Sequence, residues 1–256
     1  MPGSDTEILK AIKEGRRIGA DDALSPAYRG EIVRLMTIFV DTELAWAAGY
    51  ADMINQAPGM RERVVAAHIV AEKLDHAQRV MDLLEGFGVK PELYVRSHAW
   101  TARLDRNVDL GTRQVGDDKR LNVLYYPMEG WTDSVVMNGL FGAATVIHLN
   151  EVATCSYAPL ADVMAGILER EKEHAAAAVK GMVQAAERAG TAAAQASVAY
   201  WFPRIAATFG RLDSKRYAQY RDLGLRQGTN ADLLTQWEND VAPILSECGL
   251  VRPAGA

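Results

Sequence analysis

The sequence predicts an all-α protein built around a four-helix bundle, with additional helices at its C-terminal end. Alanine is abundant, runs of β-branched residues are short, and apolar residues recur at steps of three and four. The chain has 256 residues, 49% of them hydrophobic, which is enough for one substantial core. We therefore expect a single domain over residues 1–256, with the bundle at about 27–190 and C-terminal helices at about 192–249.

The first pair of helices is expected between about residues 25 and 86. Ser25-Pro26 marks the start, because serine is a favoured N-cap and proline fits the first turn of a helix. The first helix is expected to continue to about Gln56, where Ala57-Pro58-Gly59 breaks the pattern. The second helix then runs to about Gly86. A tight break between two long helices predicts that they pack antiparallel.

A second pair of helices follows a long irregular stretch at about 108–130. The third helix is expected at about 131–155, and the fourth follows Tyr157-Ala158-Pro159 and ends near 190. A helix pair, a long crossover and a second pair are the arrangement of a ferritin-like bundle. Shorter helices are expected after it, at about 192–209, 214–225 and 230–246.

Charge and cysteine content narrow the class of protein. The net charge is −5 and no long basic run is present, which argues against nucleic-acid binding. Cys155 and Cys248 stand far apart, so they indicate neither a disulfide framework nor a zinc site. Residues 1–17 lack the apolar segment of a signal peptide, and the most apolar stretch, 135–149, is interrupted and too short to span a bilayer. We expect a soluble cytoplasmic protein without a membrane partner.

Polar residues interrupt the predicted inward-facing stripes of three helices. Each stripe alternates steps of three and four residues, which is the spacing of a bundle core. On the first helix the stripe contains Met36, Val40, Glu43, Ala47, Tyr50 and Ile54; on the second, Ile69, Lys73, His76, Val80, Leu83 and Phe87; on the fourth, Met164, Ile167, Glu171, His174 and Ala178. Lys73 follows Glu43 by about 30 residues, enough at about 1.5 Å per residue to run up one helix and return to the same level.

These polar residues are typical of a metal-binding bundle in which one position has changed. Carboxylates and imidazoles are costly to bury unless their charge is compensated, and a bound metal compensates it. Di-iron bundles use a glutamate from each of two helices and Glu-x-x-His from each of the other two. Glu171 and His174 form one such motif, whereas the second helix supplies Lys73 and His76. Together with Glu43 they are candidate metal ligands, and the alternative is a buried polar network without metal.

Short segments spread over about residues 27–249 carry a family resemblance. They include Tyr28-Arg29, Glu85-Gly86-Phe87-Gly88, Tyr126-Pro127, Trp131-Thr132-Asp133, Ser156-Tyr157-Ala158-Pro159 and Trp201-Phe202-Pro203. In this order they resemble the phenylacetyl-CoA epoxidase A/C family of ferritin-like proteins, and the catalytic subunit more than its structural partner.

The resemblance implies a di-iron centre that activates O₂ and oxidises the aromatic ring of a CoA thioester. It also implies a flavin/iron–sulfur reductase and a homologous ferritin-like subunit as partners. The surface of a helical pair can equally form a homodimer. Four residues match the family's metal ligands: Glu43, His76, Glu171 and His174. Lys73 stands where the family has another glutamate, and the aspartate of the third helix aligns with Gly142.

Lys73 and Gly142 change the chemistry that the resemblance implies. A lysine ammonium has no lone pair to donate, repels Fe²⁺ and pairs with buried acids instead. We therefore predict a degenerate site in which Lys73 forms a salt bridge with Glu43 and Glu171. The protein is then a non-catalytic or altered member of an aromatic acyl-CoA ring-oxidation system, and it binds no metal or binds it differently.

Three alternatives keep a metal in the site. Glu72 can replace the missing ligand, because Glu72 and His76 are one turn apart, although Glu72 belongs to a more polar stripe. His148 or Glu151 can face the site, since the third helix is apolar all round and its orientation cannot be read. One iron ion can also be held by the two histidines and one or both glutamates, with Lys73 orienting a substrate oxyanion or a peroxide. The protein is then an active non-haem iron monooxygenase, with one or two iron ions, acting on an aromatic CoA thioester.

Overall fold

The computed structural model describes residues 4–113 and 115–254, apart from the side chain at position 215. Over these residues the chain is helical, which confirms the all-α prediction, and a single isolated bridge joins Ile18 to Tyr157. The other positions of the predicted domain, 1–3, 114 and 255–256, lie outside the described residues. The α-helices are α1 (Asp5–Lys13), α2 (Pro26–Ala51), α3 (Met60–Glu85), α4 (Pro91–Ser97), α5 (Gly130–Ala153), α6 (Ala158–Ala189), α7 (Thr191–Ala206), α8 (Lys215–Asp222) and α9 (Asn230–Glu247).

Four long helices, α2, α3, α5 and α6, form the ferritin-like bundle. α2 pairs with α3, α5 pairs with α6, and the two pairs meet where α3 packs on α6. The crossover between the pairs contains α4 and a 3₁₀ turn at Asn122–Tyr125. α7 and α9 pack on α5 from outside the bundle.

Local signals start the bundle helices close to where the sequence predicts them. The Ser25 hydroxyl accepts a hydrogen bond from the Tyr28 amide at 3.3 Å, and Pro26 occupies the first turn of α2. α2 ends at Ala51, earlier than predicted, and Ile54–Gln56 form a separate 3₁₀ turn. On α3, the buried residue in the last turn is Leu84 rather than the expected Leu83.

Two short helices, α1 and α4, were not predicted. α1 begins with a capping box in which Ser4 and Glu7 bond each other's backbone amides, and it buries Ile8 and Ala11. α4 has seven residues and buries none of them. Seven residues make about two turns, too few for an apolar repeat to be recognised in α4.

α5 is the central helix of the molecule. Among the described residues it is the one helix long and apolar enough to cross a membrane by length and composition. However, 67% of its apolar window is buried inside the protein, because α6, α7 and α9 all pack on it. A helix that is apolar all round is expected when neighbours cover most of its surface.

Candidate functional site

A layer of polar side chains divides the hydrophobic core of the bundle in two. On one side lies a cluster that includes Trp46, Ile69 and Met182. On the other side lies a cluster that includes Val40 and Ile167. The layer between them contains four fully buried polar residues: Glu43, Lys73, His76 and Glu171.

The Lys73 ammonium lies at the centre of this layer. Its side chain is 0% exposed, and Nζ donates to both carboxylate oxygens of Glu171 at 3.0 Å. Nζ also lies 3.4 Å from Glu43 Oε1. These contacts link α3 to α2 and α6 through one cation. Charge-assisted hydrogen bonds of this kind are stronger than neutral ones.

Trp46 forms one wall of the site. Lys73 Nζ lies 3.3 Å from the centroid of the Trp46 ring, a cation–π contact. The indole N–H donates to Asn138 Oδ1 at 2.7 Å, and Phe141 packs against the ring at 4.4 Å between centroids. The predicted stripe on the first helix missed Trp46. Its position three residues after Glu43 is the signal that places both on one face of α2.

His76 bridges the same two carboxylates from the next turn of α3. Its Nδ1 lies 3.0 Å from Glu171 Oε1 and 3.3 Å from Glu43 Oε2. Burial lowers the pKa of His76, but the hydrogen bonds and negative charges of Glu171 and Glu43 outweigh burial and raise it to about 9. His76 is therefore protonated at neutral pH.

The Glu171 carboxylate is ionised although it is fully buried. Burial alone raises its pKa, but the charge of Lys73 and hydrogen bonds from His174 and His76 hold the pKa well below its usual range. A single carboxylate is thus shared by an ammonium and two imidazoles.

His174 connects the buried layer to the surface. Its Nδ1 lies 3.2 Å from Glu171 Oε1, and its Nε2 lies 2.5 Å from Glu72 Oε2. Glu72 is 30% exposed and also pairs with Arg170. Glu72 thus touches the cluster from outside, through His174 rather than through His76.

Residues 12–256 match the model of a family described as "Phenylacetic acid catabolic protein". The chain belongs to this family. This membership supports a role of the protein in phenylacetate catabolism. Members of the family are associated with iron and typically act in multi-subunit complexes. No protein with a curated description matched the chain. The likeness to a catalytic subunit in particular stays a prediction.

Three side chains of the polar layer form a possible metal-binding triad. Glu43, His76 and Glu171 each offer a ligand atom, and these atoms lie within 4.8 Å of one another. His174 contacts Glu171 but does not complete this group among the described residues. Lys73 donates to both carboxylates of the triad, so an ammonium already pairs with the two acids that a metal would need.

Gly142 lies at a close contact between α5 and α6. A Cβ atom at this position would lie 3.2 Å from both Cα and Cβ of Ala175. This contact is tighter than an ordinary van der Waals contact, so a larger side chain here would require α6 to move by a few tenths of an ångström. The packing of α5 on α6 therefore favours glycine over the aspartate that the family resemblance implies.

His148, considered above as a residue that faces the site, contacts other partners in the structure. Its ring packs on Phe209 at 4.5 Å between centroids, and its Nε2 lies 3.5 Å from Thr208 Oγ1. The sequence could not decide this orientation, because α5 is buried on nearly every side and has no polar face.

Proposed function

We propose that this protein is a non-catalytic member of an aromatic acyl-CoA ring-oxidation system, in which the Lys73 ammonium takes the place of metal. One observation carries the proposal: Lys73 Nζ lies within 3.4 Å of both buried carboxylates that a metal needs. In this role the subunit stabilises a cytoplasmic complex with a homologous ferritin-like subunit that has a complete site. That partner receives electrons from a reductase and oxidises the CoA thioester.

Charge balance supports a site without metal. The carboxylates of Glu43 and Glu171 supply two negative charges, and Lys73 with protonated His76 supplies two positive charges. Two Fe²⁺ ions would add four positive charges beside the Lys73 ammonium. The ammonium could move away from them only by breaking its hydrogen bonds to the two carboxylates. Buried cations without matching anions cost several kcal/mol. The residues present therefore do not fit two iron ions.

A second candidate function keeps a single iron ion on the triad of Glu43, His76 and Glu171. The spacing of the triad's ligand atoms, within 4.8 Å, favours it. Iron would supply O₂ activation, and the two glutamates and the histidine would hold it. Lys73 would have to give up its bonds to both carboxylates, and it would then be free to orient an anionic oxygen of the substrate.

Metal analysis of protein produced with iron supplied separates the two functions. The proposal expects substoichiometric iron in the wild type and increased iron in Lys73→Glu, which restores a carboxylate. Lys73→Met is the matched control, because it removes the cation without adding a ligand. Near-stoichiometric iron in the wild type, with turnover of an aromatic CoA thioester, would overturn the proposal in favour of the second function.

A further inference from the structure

The solvent-facing side of α3 carries a regular stripe of mainly apolar residues. Met60 is 75% exposed, Val64 48% and Leu74 47%. These three residues belong to a longer series of exposed residues on α3, which are spaced alternately four and three residues apart. This series, called the α3 stripe below, is Met60, Val64, Ala67, Ala71, Leu74 and Gln78.

The α3 stripe is separate from the face that α3 contributes to its own fold. The residues of α3 that pack into the bundle include Ile69, Lys73, His76 and Val80, on the opposite side of the helix. An outer face should be polar if it meets only water. A stripe with an average step of 3.5 residues is the pattern by which one helix packs along another. Exposed apolar side chains repeated at this spacing along one helix favour an interaction site.

We propose that the α3 stripe docks a second copy of this chain, with the two α3 helices antiparallel. In an antiparallel pair centred between Ala67 and Ala71, Val64 faces Leu74 of the second copy. Each Ala67 faces the second copy's Ala71 at the centre, where small side chains let the helices approach closely. Large residues therefore face large ones, and small residues face small ones, around a two-fold axis.

Charge complementarity selects the antiparallel arrangement. Arg61 and Asp75 are exposed on the same flank of the stripe. The antiparallel register brings Arg61 beside the second copy's Asp75, and the two-fold axis repeats the pair. In a parallel register like residues align, so Arg61 and the other Asp75 stand about 21 Å apart along the helix. Asp75 already pairs with Arg79 at 2.7 Å, an exposed pair that stabilises little and leaves the carboxylate accessible.

Self-association of the full-length wild type tests the proposal by sedimentation velocity over a concentration series. A single-helix interface is small, so a dissociation constant of about 1–100 µM is expected. Val64→Glu and Leu74→Glu should each weaken association about tenfold or more. Val65→Glu is the matched control, because Val65 is also exposed on α3, at 40%, but lies off the stripe. It should change the dissociation constant by less than about threefold.

A charge exchange tests the register itself. Arg61→Glu places two acids together and should weaken the dimer, and Arg61→Glu combined with Asp75→Arg should restore it. Circular dichroism melts identify any variant that fails to fold. A wild type that stays monomeric at 100 µM, about the weakest affinity expected, overturns the proposal, as does a dimer unaffected by Val64→Glu. Binding of α3 only to a different ferritin-like subunit also overturns it.

Discussion

A single side chain decides how the buried acids of this bundle are neutralised. A metal ion can be lost or exchanged, whereas the Lys73 ammonium is covalently part of α3. Its contacts with Glu43, Glu171 and the Trp46 ring hold it from three sides. Removing one partner of such a buried pair costs about 3–5 kcal/mol, because the other charge stays buried and unpaired. The site is therefore stable only when Lys73 and both of its carboxylate partners are present.

The raised pKa of His76 predicts that stability depends on pH. The pKa rises from 6.5 to about 9 on folding, so the stabilisation from protonated His76 is fully present below pH 6.5. It is lost as pH rises through 9. We expect the free energy of unfolding of metal-free protein to fall by up to about 3 kcal/mol between pH 6.5 and 9. Urea denaturation at several pH values measures it.

Two histidine variants identify the group responsible for this slope. His76→Gln should remove most of the pH dependence, whereas His68→Gln, at an exposed position on the same helix, should leave it in place. Glu171 adds no slope in this range, because its lowered pKa moves its titration further into acid. An unchanged slope in His76→Gln would assign the effect to another group.

At the scale of elements, the close approach of α5 and α6 explains why position 142 holds glycine. Gly142 faces Ala175, and a Cβ at Gly139 would meet the Met182 side chain. Glycine weakens a helix interior by about 1 kcal/mol relative to alanine. Its presence here follows from the distance between the helices rather than from helix propensity.

Gly142→Ala should therefore destabilise the protein, although alanine favours helices. The added Cβ would lie 3.2 Å from two atoms of Ala175, and overpacking of this kind costs about 1–3 kcal/mol. Gly166→Ala on α6 is the control, because nothing lies within 4 Å of a Cβ there, and it should stabilise by about 0.5–1 kcal/mol. Thermal and urea unfolding give both values. Equal stabilisation by the two substitutions would contradict the close contact.

The sequence predicted best the elements that have one polar face and one apolar face. The periods of α2, α3 and α6 placed Glu43, Lys73 and Glu171 at one level of the bundle, and the structure brings these residues together. α5 has no polar face, so the sequence did not reveal which of its residues point into the bundle. His148 was therefore considered for the site. Contacts made by irregular chain segments follow no period, so no pattern in the sequence indicated them.

At the scale of the whole molecule, one buried acid attaches the crossover to the bundle. Asp41 on α2 is 0% exposed and accepts hydrogen bonds from Tyr94 Oη at 2.7 Å, Trp100 Nε1 at 3.0 Å and the Lys119 amide at 2.6 Å. Burial and the charge of Asp41 raise the pKa of Tyr94, which keeps the phenol a donor. The three donors come from points spread along the crossover, so Asp41 holds the segment against α2 close to the polar layer.

Asp41→Ala should therefore loosen the crossover while the bundle stays folded. Each donor left unsatisfied costs about 1–3 kcal/mol, so the segment gains more from opening to water than from staying packed. Hydrogen exchange measured by mass spectrometry should speed up over residues 91–121 and stay slow in α6. Asp109→Ala is the matched control, since Asp109 is an exposed acid in the same crossover. If residues 91–121 exchange at the wild-type rate in Asp41→Ala, other contacts hold the crossover, with the buried Arg120–Asp118 pair the first to examine.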